Sequence, residues 1–132
     1  MKPRPARIVL HIFMPLVAGF FIYYRFRPDN WIIRQFTDRQ AVPHDPWPQA
    51  VQWLIFSGPD FCWAYSLASA LYTWEAWQGN RKRFFPLFVM GVIALSELLQ
   101  GTLIPGFTFD MADLVAVMAG AVLSTLFYRK KV

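Results

Sequence analysis

The chain has 132 residues, 56% hydrophobic and 18% aromatic against only 16% charged, a balance too apolar for an ordinary soluble domain. Thirteen Lys and Arg face eight Asp and Glu, but the basic residues form short clusters beside apolar runs, which points to membrane topology and away from nucleic-acid binding. The single cysteine, Cys62, excludes an intrachain disulfide and a cysteine-based zinc cluster, and inside an apolar run it is a small packing residue.

In chain order, Lys2, Arg4 and Arg7 precede an apolar run over residues 8–24, interrupted only by His11, Pro15 and Gly19. No small-x-small cleavage site follows, so the run is expected to be an uncleaved first membrane helix, with His11 snorkelling to the interface at its basic end. Residues 25–60 form the first outer loop. An interfacial helix is expected from Asp29 to Phe36, a turn at His44 and Asp45 between prolines, and a second short helix from Trp47 to Phe56, too short to span.

Ser57, Gly58, Pro59 and Asp60 form a helix start, with Ser57 as cap and Asp60 three residues on. The second membrane helix covers 61–78. Ser66, Ala68 and Ala70 give it a small-residue face, and Tyr72, Trp74 and Trp77 an aromatic belt near its end. Glu75 there is placed to pair with Arg81, Lys82 or Arg83 at the interface. The third helix covers 84–100, a short uncharged turn with Pro105-Gly106 follows, and the fourth covers 111–128. Ala112, Ala116, Gly120 and Ser124 recur every four residues on the fourth, a row that lets another helix come close, in the chain or in a second copy.

The expected fold is all-α: one integral membrane four-helix bundle over residues 1–132, with short interfacial helices in the first outer loop. Four spans put both termini on one side, together with nine of the thirteen basic residues, and the positive-inside rule makes that side cytoplasmic in a multi-pass cell-membrane protein.

The polar residues that call for a reason are Glu97, Gln100, Asp110 and Asp113, because acids in membrane segments are costly. Glu97 stands about 20 Å along the third helix from Phe84, and shares a face with Gln100 at i, i+3. Asp110 and Asp113, also i, i+3, open the fourth helix, where its dipole favours them. A short turn folding the two helices together would bring all four to one outer site. Glu97 is not explained by a helix start and needs a partner: Gln100, an outer-loop arginine, or a bound cation.

These residues resemble the VanZ-like family, whose pattern is a glutamate and glutamine near the end of one membrane helix, a Pro-Gly turn, and then Arg-x-x-Asp-x-x-Asp-x-x-x-Asn-x-x-Gly opening the next. Glu97, Gln100, Pro105, Gly106, Asp110, Asp113 and Gly120 fall in register over about the last forty residues; the arginine position is Phe107 and the asparagine position Val117. The resemblance implies a small multi-helix membrane protein of the bacterial cell envelope, in one branch tied to antibiotic resistance.

Three functions compete. The first is binding of a membrane lipid or lipid-linked glycan at the acidic outer site, with Arg25, Arg27 or Arg34 meeting an anionic head group. The second is an enzyme acting on a lipid phosphate, with Glu97 or Asp113 as acid, base or metal ligand; no Ser-His, Cys-His or phosphatase-type basic motif accompanies it. The third is a non-catalytic assembly subunit, a homo-oligomer through the Ala112–Ser124 row. No organic cofactor is implied, a divalent cation suits the carboxylates, and no nucleic-acid partner is expected.

Overall fold

The computed structural model describes residues 5–26, 35, 47–78, 84–103 and 110–129. The described residues are all helical apart from short turns and caps, with no strand among them, and form five helices. Two of these, Pro5–Phe26 and Met111–Tyr128, are long and apolar enough to cross a membrane.

Helix α1 (Pro5–Phe26) is not uniform. A π turn over Val9–Phe13 lets the N–H of Met14 reach back five residues to the carbonyl of Val9. Its cause is one residue further on: Pro15 has no N–H to donate and crowds the carbonyl of His11, so the ladder is re-spaced just before it. Helix α2 (Gln49–Phe56) starts behind the extended Pro48, and the Gln52 amide donates to the Trp47 carbonyl at 2.9 Å. The interfacial helix expected at Asp29–Phe36 lies outside the described residues, apart from Gln35, which is exposed in a turn.

Helix α3 (Gly58–Trp77) starts at the expected Ser57-Gly58-Pro59-Asp60 signal, ahead of the apolar run from Phe61, because Pro59 is tolerated in a first turn where its missing N–H has no partner to lose. Ser57 does not cap it through its side chain. Helix α4 (Phe84–Leu103) runs on through Gly101, Thr102 and Leu103, which the sequence placed in a turn. Helix α5 (Met111–Arg129) is capped by Asp110, whose carboxylate accepts from the Ala112 N–H at 2.8 Å.

Helix α3 is the hub. Its most extensive partner is α5, followed by α1. Ser57 meets Asp113, Ser69 meets Ser124 and Thr73 meets Tyr128, so α3 and α5 run parallel. Against α1, Gly58 lies beside Ile22, Cys62 beside Gly19, and Tyr65 beside His11, so α1 is antiparallel to α3. Helix α4 must return between α3 and α5: six residues join it to α3 and seven to α5, and at most about 28 Å of extended chain does not cover the length of a twenty-residue helix, about 30 Å.

The α3–α5 approach is set by Gly120. A Cβ there would sit 2.6 Å from the Phe61 carbonyl oxygen and 3.0 Å from the Tyr65 nitrogen. Three residues of the sequence-predicted small row, Ala116, Gly120 and Ser124, are buried here, packed within the chain. Ala64, Ala68 and Tyr72 of α3, Met90 of α4, and Val117 and Ala121 of α5 form the core around this line.

Gly120→Ala is therefore expected to lower stability by about 1–3 kcal/mol through overpacking against backbone. Gly91, whose Cβ would meet nothing within 4 Å, is the control: Gly91→Ala is expected to gain about 0.5–1 kcal/mol from reduced chain entropy. Denaturant titration of the purified variants, followed by circular dichroism, separates the two signs.

Candidate functional site

The four acidic-stretch residues take different places. Asp110 is exposed and acts as the α5 cap. Asp113, half-buried one turn later, turns towards α3 and accepts from the Ser57 hydroxyl at 2.9 Å. Glu97 and Gln100 lie on the backbone of α4, four and seven residues after Ile93, in the half of that helix nearest the start of α5; their side chains are outside the described residues. Among the described residues, no three His, Cys, Asp or Glu side chains cluster as a metal ion would require.

Of the arginines proposed for head-group contact, Arg25 is exposed at the end of α1, its guanidinium 5.5 Å from the centroid of the Phe26 ring. Phe26 packs edge-on to Trp47, so Arg25 leaves the molecule at the α2 end. Arg27 and Arg34 lie outside the described residues, as do His44 and Asp45.

Ser57 is the partner that sequence reasoning missed. It is 1% exposed, at the joint between α2 and α3, where its hydroxyl serves a neighbouring helix and not its own. Below it the α3–α5 contact carries a ladder of hydroxyls. Ser69 meets Ser124 at 3.0 Å, Tyr72 meets Thr125 at 2.9 Å, and Thr73 meets Tyr128 at 2.8 Å. Thr73 and Thr125 also donate back to the carbonyls of Ser69 and Ala121, so these short side chains stay satisfied inside helices.

Three polar residues expected at an interface point inward. His11, in the π turn of α1, meets the Tyr65 hydroxyl at 2.5 Å through Nδ1 and packs against the rings of Phe127 and Tyr128. It does not snorkel, because the re-spaced turn aims it at α3. Together with Arg7 and Tyr128 it lines a cavity of about 20 Å³, the size of one water. Tyr72, expected in an aromatic belt, is buried and stacks on Tyr128. Glu75 is buried at 4% exposure: it continues the inward face of Ala68 and Tyr72. Trp74 and Trp77 are exposed and pack edge-on to each other, as a belt would have them.

A groove of about 480 Å³ runs along α3, walled by Ile12 and Leu16 of α1, Ile93 of α4 and Val117 of α5. Its floor runs from Asp60 through Trp63 and Leu67 to Ala70, a stripe at i, i+3, i+7 and i+10 that could be read from the sequence as one helix face. Ser66 lines it too; its hydroxyl is buried without a hydrogen-bond partner among the described residues. The small face expected from Ser66, Ala68 and Ala70 is thus split: Ala68 faces α5, while Ser66 and Ala70 face the groove. Val117, in the asparagine position of the VanZ-like pattern, stands on its wall. In comparison with known proteins, the chain matches no family model, no curated sequence and no solved structure.

The Ser57–Asp113 bond gives a test of what the aspartate does for the fold. Asp113→Asn keeps an acceptor oxygen and is expected to change stability by less than about 0.5 kcal/mol. Asp113→Leu leaves the buried Ser57 hydroxyl without its acceptor and is expected to cost about 1–3 kcal/mol. Adding Ser57→Ala to Asp113→Leu is expected to recover part of that loss, which a double-mutant cycle measures.

Proposed function

We propose that this chain is a VanZ-like multi-pass membrane protein of the bacterial cell envelope, a four-helix membrane bundle of α1, α3, α4 and α5 with both termini cytoplasmic. It binds a lipid or lipid-linked envelope component at the acidic, outer-leaflet end. The observation that carries the membrane part is exposure. The apolar windows of α1 and α5 are only 6% and 28% buried, whereas a core helix of a soluble protein would be mostly buried. Phe13, Val17 and Phe21 of α1, Leu87, Val92 and Leu95 of α4, and Val115, Val122 and Leu126 of α5 all face outward. That much apolar surface is stable only against lipid or protein.

Helix α3 carries more polar side chains than the others and is also the one they surround, so the hydroxyls of Ser69, Tyr72 and Thr73 meet protein and not hydrocarbon. The packing of Gly19 and His11 on α3 favours an α1 that stays attached over a cleaved leader. The antiparallel order puts Arg7 beside Tyr128 at one end and Ser57, Asp60 and Asp113 at the other. Arg7 at the end opposite Asp60 and Asp113 supports the separation that positive-inside topology calls for. Glu97 and Gln100 follow Ile93 towards that second end, which keeps them with Asp113 in the proposed site.

A reporter active only outside the cytoplasm, fused after residue 40, is expected to be active, and the same reporter after residue 132 inactive; the reverse pattern would overturn the orientation. In a strain whose envelope is weakened by loss of the gene, Glu97→Gln and Asp113→Asn are expected to insert at normal levels and to fail to restore the envelope. Full restoration by both would make the carboxylates caps and packing groups and end the site reading.

A further inference from the structure

We propose that the seam between the start of α1 and the end of α5 holds the phosphate of an anionic inner-leaflet phospholipid, gripped by the Arg7 guanidinium. This rests on the membrane reading above and concerns the end of the molecule opposite Asp60 and Asp113.

The first argument is the state of Arg7. It is half-buried, and among the described residues it makes no hydrogen bond or ion pair. A cation partly withdrawn from water without a partner is costly, and an anion relieves that cost. The planar guanidinium can meet two phosphate oxygens at once. Among the described residues no carboxylate lines the cavity beside it, and Glu75 is buried on α3 with contacts of its own. In the sequence, the charged residues within six positions of Arg7 and Tyr128 are Lys2, Arg4, Arg129, Lys130 and Lys131, all basic.

The second argument is size and the direction of hydrogen bonds. The cavity lined by Arg7, His11, Phe127 and Tyr128 is about 20 Å³, room for one water and not for a phosphate group. Thr73 gives its hydroxyl hydrogen to the Ser69 carbonyl, so in the 2.8 Å contact between Thr73 and Tyr128 the phenol donates. Tyr128 is left with acceptor capacity only. A phosphate oxygen would meet it lone pair to lone pair, whereas a water gives it one hydrogen and has a second for the phosphate. The phosphate therefore stands at the mouth of the cavity, bound to Arg7 directly and to Tyr128 through one water. His11, tied to Tyr65 through Nδ1, is the wall that holds the two helices together there.

The third argument is position. Arg7 and Tyr128 lie at the ends of the two helices of spanning length, the level at which head groups stand. Phe127, beside them, is 49% exposed and belongs to the outward face of α5. A head group with net negative charge suits this place, because a lipid ammonium would be repelled by Arg7.

The test uses the full chain reconstituted in vesicles of equal phosphatidylethanolamine and phosphatidylglycerol, then released into detergent for native mass spectrometry. In detergent the surface potential of the bilayer is gone, so a lipid stays only where the protein holds it. The expected result is retained phosphatidylglycerol over phosphatidylethanolamine by about tenfold, the factor of about 1.4 kcal/mol. Arg7→Ala is expected to bring that ratio within about twofold, while Arg4→Ala, an equal change of charge, leaves it as it was. Tyr128→Phe, which keeps the ring and removes the water's acceptor, is expected to lower the ratio about threefold. Excess inorganic phosphate is expected to leave the lipid in place.

Equal loss in Arg7→Ala and Arg4→Ala would overturn the proposal, since diffuse charge would then be the cause. So would full preference in folded Tyr128→Phe, or displacement of the lipid by inorganic phosphate, which would make the free ion the ligand. Vesicle flotation separates the two levels: a chain that floats with vesicles yet retains no phosphatidylglycerol ends the seam assignment alone, and one that does not float ends the membrane reading with it.

Discussion

At Gly120 the backbone of α5 lies against the backbone of α3, with no room for even one methyl group between them. Small-residue contacts of this kind are how helices associate where burial of apolar surface gives little drive, as in the proposed bilayer setting. The hydroxyl ladder depends on that approach. Serine and threonine side chains are short, and Ser69 reaches Ser124 only because Gly120, one turn away, brings the helix axes together. Each such bond contributes about 0.6 kcal/mol on average in a membrane protein, so the ladder fixes register and rotation more than it adds stability.

With α5 held on one face of α3, α1 is held on another, by Gly19 against Cys62 and Trp63 and by His11 against Tyr65. The π turn before Pro15 is part of this contact, since it places His11 on the inward side of α1 together with Gly19. Among the described residues no helix is laid on the face of α3 between α1 and α4, and that face is the groove. Its shape follows from the two close contacts on either side of it.

The acidic end combines fold and proposed function in the same residues. Asp113 sits in the first turn of α5, where the helix dipole favours a carboxylate, and its bond to Ser57 ties the α2–α3 joint to α5. Among the described residues Asp110 meets the Ala112 N–H, as the α5 cap. Of the four acidic-stretch residues, Asp113 is the one whose described contacts cross between helices, while Glu97 keeps its place in the proposal through its position on α4.

The helices themselves were legible in the sequence, because their signals are local: apolar runs of spanning length, Pro59 in a first turn, Asp110 before an apolar stretch, and a small residue every fourth position from Ala112 to Ser124. The bounds moved by a few residues at most. What the sequence could not decide was the inward face of each helix. In a chain apolar on nearly every side, periodicity does not distinguish a lipid-facing stripe from a packed one, so Tyr72, Glu75 and His11 were placed at interfaces when they point inward. The sequence by itself determined that the described residues are helical, with apolar helices of spanning length; only the tertiary structure decided that Ser57 serves Asp113, that Ala116, Gly120 and Ser124 are buried within the chain, and that Asp60, Trp63 and Ala70 share a groove, because those depend on which helix lies beside α3 and how closely it approaches.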